Sequence, residues 1–235
     1  MKKRIWELDA FRGICILGMV IVHFVFDLTE LYRIIDWDAP DWFAFVQRWG
    51  GVLFLLISGI SATLGRRSVR RGLLVLLAGA AVTAVTYCMY QYLSFSKNIV
   101  IYFGVLQCLG CCMIAWWAFK RLPTWALTVT GLVMVAVGLY LDTVMLVDYP
   151  WLVPLGFTYP GFATSDYFPL LPNLGLFLLG AVLGRTVYAG KQTLFPRVSE
   201  KNIPVRVLCF CGRQSLWFYL LHQPVLAGIC MLLMH

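Results

Sequence analysis

Long apolar stretches separated by short polar connections make up most of the 235-residue chain. A helix needs about 20 mostly apolar residues to cross the hydrocarbon core of a bilayer. Residues 205–211 either extend the last stretch or form a separate interfacial helix. The pattern predicts an all-α, polytopic membrane helix bundle with about seven transmembrane helices. The predicted spans are residues 10–32, 42–64, 72–94, 99–119, 124–146, 169–188 and 212–234.

Charged residues alternate in sign from one connection to the next. The even-numbered connections are basic, and the densest cluster contains the four arginines of residues 66–71. The odd-numbered connections are acidic or nearly neutral, with Asp36, Asp38 and Asp41 in the first. Because lysine and arginine are retained on the cytoplasmic side, we expect a cytoplasmic N-terminus and an external C-terminus. This alternation requires an odd number of spans.

The composition agrees with a membrane protein. The chain is 61% hydrophobic and 13% charged, whereas soluble domains are typically about 25% charged. The net charge of +8 is concentrated at span ends, where topology and anionic lipids explain it better than nucleic acid. We expect a single domain over residues 1–235. The basic N-terminus resembles a signal peptide, but no small-residue cleavage site follows, so we expect the first span to be retained.

Eight cysteines are present, three of them at positions 108, 111 and 112 inside the fourth apolar stretch. In such surroundings a free cysteine behaves as a small hydrophobic residue. A metal site needs further ligands at suitable spacing, and the sequence provides none nearby. We therefore predict no metal site.

The first span carries an arginine, a histidine and an aspartate in an otherwise apolar run: Arg12, His23 and Asp27. At about 100° per residue, the eleven steps from Arg12 to His23 return to within roughly 20° of the same helix face. Asp27 and Glu30 continue nearly the same stripe. An ionisable residue inside a span costs roughly 2.5–3.5 kcal/mol on insertion scales. The stripe is therefore the predicted functional site.

His23 is the predicted general base of this site, because imidazole titrates near neutral pH. Asp27, four residues later, is positioned to fix its tautomer and to stabilise the imidazolium. The alternative is a purely structural His–Asp pair. Arg12 is either an anion clamp at the cytoplasmic mouth, since guanidinium binds phosphate in a bidentate manner, or an interfacial arginine paired with Asp9.

Other spans also contain polar residues near the middle of the bilayer. His222 in the last span lies at a depth similar to that of His23. Buried polar groups need partners, so we expect these residues to converge on one another or on a water-filled cavity. The remaining ones are Ser58, Gln107, Asn173, Ser215 and Gln223.

The fifth connection, residues 142–168, is long and rich in proline and aromatic residues. It is too apolar for a solvated loop. It is either a re-entrant or cap segment over the external mouth, shielded by protein, or an interfacial aromatic belt.

Ordered motifs along nearly the whole chain resemble the heparan-α-glucosaminide N-acetyltransferase catalytic-domain family, in its small bacterial branch. The resemblance begins with L-D-x-x-R-G at Leu8–Gly13 and M-x-x-x-H-F at Met19–Phe24. The ten residues between Arg12 and His23 also match the spacing in the related type-3 membrane acyltransferases. The later motifs are F-L-L-I-S-G at 54–59, F-G-V-L-Q at 103–107, D-Y-F-P-L-L-P-N-L-G at 166–175 and G-R-Q-S-L-W-F-Y-L-L-H-Q-P-V at 212–225.

The resemblance implies a bacterial plasma-membrane acyltransferase that moves an acetyl or short acyl group from cytosolic acetyl-CoA or another acyl-CoA. The acceptor would be a sugar or other small molecule on the outer side of the membrane. His23 would be catalytic, with Asp27 beside it. Besides membrane lipids and the substrates, the resemblance allows a second copy of the chain as a partner, in a homodimer. By matching motifs, Arg12, Gln107 and Ser215 would contact the donor, and Asn173, Asp166 and His222 the acceptor.

The chain departs from the family in two respects. We expect it to lack a lumenal domain like that of the animal lysosomal enzyme, so heparan sulfate is not supported as the acceptor. Asn173 stands where small bacterial relatives often have tryptophan, which affects the expected acceptor pocket.

Two alternatives belong to other functional classes. A proton-coupled transporter or channel also uses intramembrane histidines and carboxylates, but the sequence shows no inverted repeat of the kind many transporters have. A catalytically inactive structural relative is disfavoured by the complete set of Arg12, His23 and Asp27.

Overall fold

A computed structural model describes residues 5–37, 40–92, 96–144, 149–198 and 202–233. Within these ranges the chain forms α-helices, short 3-10 and π-helical turns and one isolated β-bridge, without a strand. The predicted all-α class is therefore confirmed. The helices are α1 Trp6–Phe26, α2 Asp41–Leu64, α3 Ser68–Tyr92, α4 Val105–Phe119, α5 Thr124–Val144, α6 Leu170–Thr186, α7 Ile203–Arg213 and α8 Ser215–Leu233.

Five helical stretches in the described part are long and apolar enough to cross a membrane. They are α1 with its extension to Thr29, α2, α3, α5 and α8. Helices α4 and α6 are also apolar but shorter, at 15 and 17 residues. The membrane character of the bundle is thus supported, while the seven-span count and the orientation of the termini stay predictions.

Contacts divide the chain into two compact units, Met1–Phe54 with Lys191–His235, and Leu55–Gly190. In the first unit α1 packs against α7 and α8. The two backbones approach closely at Gly13 and Gly212, because a Cβ on Gly13 would overlap the Leu208 carbonyl and a Cβ on Gly212 would overlap the Asp9 carbonyl. Small residues let membrane helices approach closely and gain packing contacts. This glycine pair therefore fixes where α7 meets α1.

Residues 205–211 belong to a separate helix and do not extend the last span. Helix α7 ends at Arg213, and Gln214 has non-helical backbone angles of φ −101° and ψ 17° before α8 begins at Ser215. One face of α7 is buried through Cys209 and Gly212. The opposite face exposes Ile203, Val207 and Phe210. Helix α7 thus buries small residues and exposes large apolar ones.

In the second unit α3 packs on α4, α5 packs on α6, and α4 contacts α6. Helix α4 begins six residues later than the predicted fourth span, because Lys97–Ile99 form a 3-10 turn and Phe103 pairs with Tyr167 in a parallel bridge. The cis peptide bond between Leu171 and Pro172 lies at the start of α6.

The described part of the fifth connection, from residue 149 onward, packs on the segment before α4. Thr164 donates to the carbonyl of Val100 at 2.7 Å, and Ser165 donates to that of Asn98 at 2.9 Å. The segment also contains a 3-10 helix, Pro150–Leu155. These bonds hold the segment against residues 98–100, and the choice between a cap or re-entrant segment and an interfacial aromatic belt stays a prediction. Residues 145–148 lie outside the described residues.

Candidate active site

Two histidines from different helices meet in the first unit. The rings of His23 on α1 and His222 on α8 have centroids 4.9 Å apart and cross at 87°. His222 is buried, and His23 is partly buried. The contact confirms that the two residues lie at a similar depth, as their positions in the first and last spans predict.

The tautomer of His222 follows from its hydrogen bond within α8. Its Nδ1 lies 2.5 Å from the carbonyl oxygen of Tyr219. A carbonyl oxygen can only accept, so Nδ1 carries the proton and donates it. In the neutral ring, Nε2 then carries the lone pair. His222 can therefore accept a proton at Nε2.

Asp27 hydrogen-bonds to the helix that carries His222 and not to His23. Its Oδ1 accepts from Nε2 of Gln223 at 3.4 Å. Its Oδ2 is buried and has no hydrogen-bond partner among the described residues. The expected His23–Asp27 hydrogen bond is therefore absent from this part of the chain. The backbone spacing from His23 to Asp27 is that of a regular helix, because the Asp27 N–H donates to the His23 carbonyl, and the π-helical turn Asp27–Leu31 extends beyond it. The Asp27 side chain contacts Gln223 on α8 instead.

Tyr32 follows this π-helical turn, and its backbone N–H donates to the Asp27 carbonyl at 2.8 Å.

At the other end of α1, one carboxylate links two arginines. Asp9 lies 3.5 Å from Arg12 Nη1, and its Oδ2 accepts a hydrogen bond from Arg213 Nε at 3.0 Å. The pairing of Arg12 with Asp9 that the i, i+3 spacing suggests is therefore present. Ser215 begins α8 two residues after Arg213. Sequence reasoning did not single out Arg213, although it lies in the same Gly212–Val225 motif as His222.

Glu7 is a second residue that the sequence did not reveal. Its side chain is 1% exposed. One carboxylate oxygen accepts from Thr193 Oγ1 and the other from the Leu194 backbone N–H, both at 2.8 Å. These bonds tie the segment before α7 to the start of α1. The predicted first span begins at residue 10 and does not include Glu7.

In the second unit, two predicted site residues shape the start of α4. Gln107 Oε1 accepts from the Gly104 N–H at 3.1 Å, while its Nε2 donates to Gly79 O and Thr83 Oγ1 on α3 at 2.9 and 2.7 Å. Asp166 Oδ2 accepts from the Val105 N–H at 3.0 Å. These bonds cap α4 and join it to α3.

Asn173 also has an internal partner, because its Nδ2 donates to the Pro169 carbonyl at 2.8 Å. Ser58 is buried on α2 in the same unit. The structure thus brings His23, His222 and Asp27 together in one unit, and Gln107 and Asp166 in the other. The donor-binding and acceptor-binding roles of all these residues stay predictions.

Across the described residues there is no group of three histidine, cysteine, aspartate or glutamate side chains that could hold a metal ion. The eight cysteines are free thiols. Cys108 Sγ lies 4.0 Å from Cys112 Sγ, four residues later on α4.

Comparison with known protein families gives one match, and it covers nearly the whole chain. The sequence model of heparan-alpha-glucosaminide N-acetyltransferase, catalytic, matches residues 4–224. No curated protein and no solved structure matches the chain. The matched range includes both histidines of the pair and the Asp9, Arg12 and Arg213 cluster. The chain therefore belongs to the heparan-alpha-glucosaminide N-acetyltransferase catalytic-domain family, a family of membrane acetyltransferases.

Proposed function

We propose that the protein transfers an acetyl or short acyl group from cytosolic acyl-CoA to an amine or hydroxyl acceptor, in the first instance on a sugar, at the outer side of the membrane. The observation that carries the proposal is the His23–His222 contact, with ring centroids 4.9 Å apart, in a chain that belongs to an acetyltransferase family. The basic even-numbered connections support a cytoplasmic donor side.

The histidine pair would act as the proton-transfer group of the reaction. An imidazole takes the proton of the acceptor N–H or O–H as the acceptor attacks the thioester carbonyl. The new C–N or C–O bond forms and the C–S bond breaks. The imidazolium then returns the proton to the departing thiolate, which leaves as free CoA. The Nδ1–H bond of His222 to the Tyr219 carbonyl supports this role, because it leaves Nε2 as the basic nitrogen.

The other end of α1 suits the donor. Arg12 lies eleven residues before His23, or about 16 Å along a helix that rises 1.5 Å per residue. In acyl-CoA the pantetheine arm separates the phosphates from the thioester. Phosphates held near Arg12 would leave this arm to extend along α1 toward the histidines.

Purified protein in lipid nanodiscs, supplied with radiolabelled acetyl-CoA and a panel of amino sugars, tests the proposal. We expect acetyl transfer by wild type and a fall of at least about 100-fold in His23→Asn, the scale of general acid–base catalysis. His235→Asn makes the same substitution at the third histidine of the sequence and serves as the matched control. Thermal unfolding of each variant establishes that it is folded.

Three outcomes would count against the proposal. Wild type that neither binds acetyl-CoA nor transfers or hydrolyses its acyl group would overturn it. Full activity in His23→Asn would remove His23 from the chemistry. Proton-driven solute uptake into vesicles without acyl transfer would favour a transporter. Within the enzyme hypothesis, a trapped acyl-protein that is lost in His23→Asn would identify an acyl-histidine intermediate.

A further inference from the structure

Helix α7 is too short to cross a membrane, yet it exposes large apolar side chains. It has 11 residues and is about 16 Å long, whereas a span needs about 20 residues. Ile203, Val207 and Phe210 are 77%, 52% and 58% exposed. Helix α7 meets α1 on the side of Gly212, where the two backbones approach closely. Exposure of such a row of apolar groups to water is unfavourable, so the row needs an apolar environment other than α1.

A basic side chain lies beside this apolar row. At about 100° per residue, Ile203, Val207 and Phe210 fall within about 60° of one another, and Arg206 lies about 60° from the centre of the row. Gly212 lies on the opposite side of the helix. Arg206 is exposed. An apolar row with a basic residue next to it is typical of a helix that lies in the plane of the membrane interface, where it contacts both acyl chains and headgroups.

The segment before α7 has the same character. Leu194 and Phe195 are 47% and 48% exposed, and the side chains of Lys191 and Arg197 beside them are exposed as well. Two hydrogen bonds from this segment to Glu7 hold it at the start of α1. Apolar and basic groups are therefore fixed next to the end of a helix that is long and apolar enough to span a membrane.

The charge of this region decides between its candidate partners. Residues 187–198 and 202–214, the described part between α6 and α8, carry basic side chains and no acidic one. A second copy of the chain, related by two-fold symmetry, would place like charges against each other. Anionic phospholipids provide both the opposite charge and an apolar phase. They give the cytoplasmic leaflet its negative surface potential, and the charge pattern predicts that this connection lies on the cytoplasmic side.

We propose that residues 191–198 and the exposed side of α7 form a membrane-interface surface that binds the headgroups of anionic phospholipids. The apolar side chains of this surface pack among the acyl chains, and its basic side chains contact the headgroups. The surface requires that α1 cross the membrane, but it does not depend on the proposed acetyl transfer. Because the attraction is one of charge and not of bidentate geometry, lysine can replace arginine in it.

The position of α7 is tested with trifluoromethyl-phenylalanine in place of Phe210, in full-length protein in lipid nanodiscs. Dissolved oxygen concentrates in the hydrocarbon and a nickel chelate stays in water, so the two relax the fluorine NMR signal differently. We expect strong relaxation by oxygen and weak relaxation by nickel. The same label at Phe103, which is buried, should be affected little by either. Strong relaxation by nickel would place Phe210 in water, and weak relaxation by both would mean that protein covers it. Either result would overturn the proposal.

Headgroup binding is tested with short-chain phosphatidylglycerol, titrated into the full-length protein in neutral detergent and followed by the shift of thermal unfolding. We expect tighter binding of phosphatidylglycerol than of phosphatidylcholine. Arg197→Gln and Arg206→Gln should each weaken it about fivefold, the contribution of one basic residue near an anionic surface. Arg206→Lys should bind as wild type does. Lys97→Gln removes an exposed basic residue of the second unit and should also match wild type.

The lipid titration has three contrary outcomes. Equal affinity for the two lipids, or wild-type affinity in both glutamine variants, would remove the anionic headgroup from the proposal. Binding of inorganic phosphate as tight as that of phosphatidylglycerol would assign the arginines to a free anion. A fivefold loss in Arg206→Lys would show that guanidinium geometry, and not charge, is recognised.

Discussion

The ring of His222 meets the ring of His23 nearly at a right angle, with the centroids 4.9 Å apart. The two residues are almost 200 positions apart in sequence and belong to the first and last helices of the described chain. Because Nδ1 of His222 is bound to the Tyr219 carbonyl, the ring cannot turn freely to exchange its two nitrogens. The two ring nitrogens of His222 therefore have different roles: Nδ1 donates to the Tyr219 carbonyl, and Nε2 is the basic nitrogen.

His222→Asn tests this assignment of the two nitrogens. The amide nitrogen of asparagine can reproduce the Nδ1–H bond to the Tyr219 carbonyl, but asparagine has no counterpart of the basic Nε2. We expect the variant to unfold at nearly the wild-type temperature and to lose about 10²–10⁴-fold in acetyl-transfer rate. The measurements are thermal unfolding and kcat with acetyl-CoA. Wild-type turnover in a folded His222→Asn protein would show that Nε2 is not the base.

Alanine substitutions at two glycines of the first unit should affect stability differently. A Cβ at Gly212 would overlap the Asp9 carbonyl, whereas nothing lies within 4 Å of a Cβ built at Gly18. We expect Gly212→Ala to lower stability by about 1–3 kcal/mol or more, as overpacked sites do. Gly18→Ala should be neutral or stabilising by up to about 1 kcal/mol, the helix-propensity difference.

Chemical or thermal unfolding in detergent measures both glycine variants, and Gly18→Ala serves as the control for α1 itself. Equal stabilities would mean that α1 and α7 separate readily at Gly13. In that case the placement of Arg12 beside Arg213 would lose its structural basis.

Hydrophobic periodicity predicted the helical class and most helix positions, because apolar runs of span length are typical of membrane helices. The depth argument also placed His222 level with His23. Such inferences need only the rise per residue along a helix. Residues related by this regular geometry were therefore accessible from the sequence.

The failures arise mainly where the partners of a residue come from distant parts of the chain. Asp27 was expected to hydrogen-bond His23, but its carboxylate accepts a hydrogen bond from Gln223 on α8. The predicted fourth span included residues 99–104, which precede α4 and contact the segment near Tyr167. Glu7 was missed because its partners, Thr193 and Leu194, come from the other end of the chain. No local pattern reports such a contact.

Asp166 offers a test that separates a structural role from a binding role. Its carboxylate accepts a hydrogen bond from the first N–H of α4, so alanine should cost about 1–2 kcal/mol of stability. Asparagine keeps an acceptor oxygen and should cost less than half of that. If Asp166 also binds a cationic acceptor, Asp166→Asn should raise the acceptor KM while stability stays near wild type.

Unfolding free energies and acceptor KM values are measured for both Asp166 variants. A stability loss in Asp166→Asn as large as that in Asp166→Ala would show that the charge, and not the hydrogen bond, holds the α4 terminus. An unchanged KM would assign Asp166 to the cap alone.

Tyr167 predicts a pH dependence in the second unit. Burial, and second the charge of Asp142, raise the pKa of its phenol to about 12, and the phenol donates to the Val153 carbonyl at 2.8 Å. An unfolded chain loses this proton near pH 10. The folded state thus favours the protonated form, so the contribution of Tyr167 to stability is complete below about pH 10 and is lost as pH rises toward 12. Difference absorbance of wild type minus Tyr167→Phe should show one tyrosine ionising near pH 12. If the tyrosine that Tyr167→Phe removes ionises near pH 10 instead, the hydrogen bond to the Val153 carbonyl does not hold this segment.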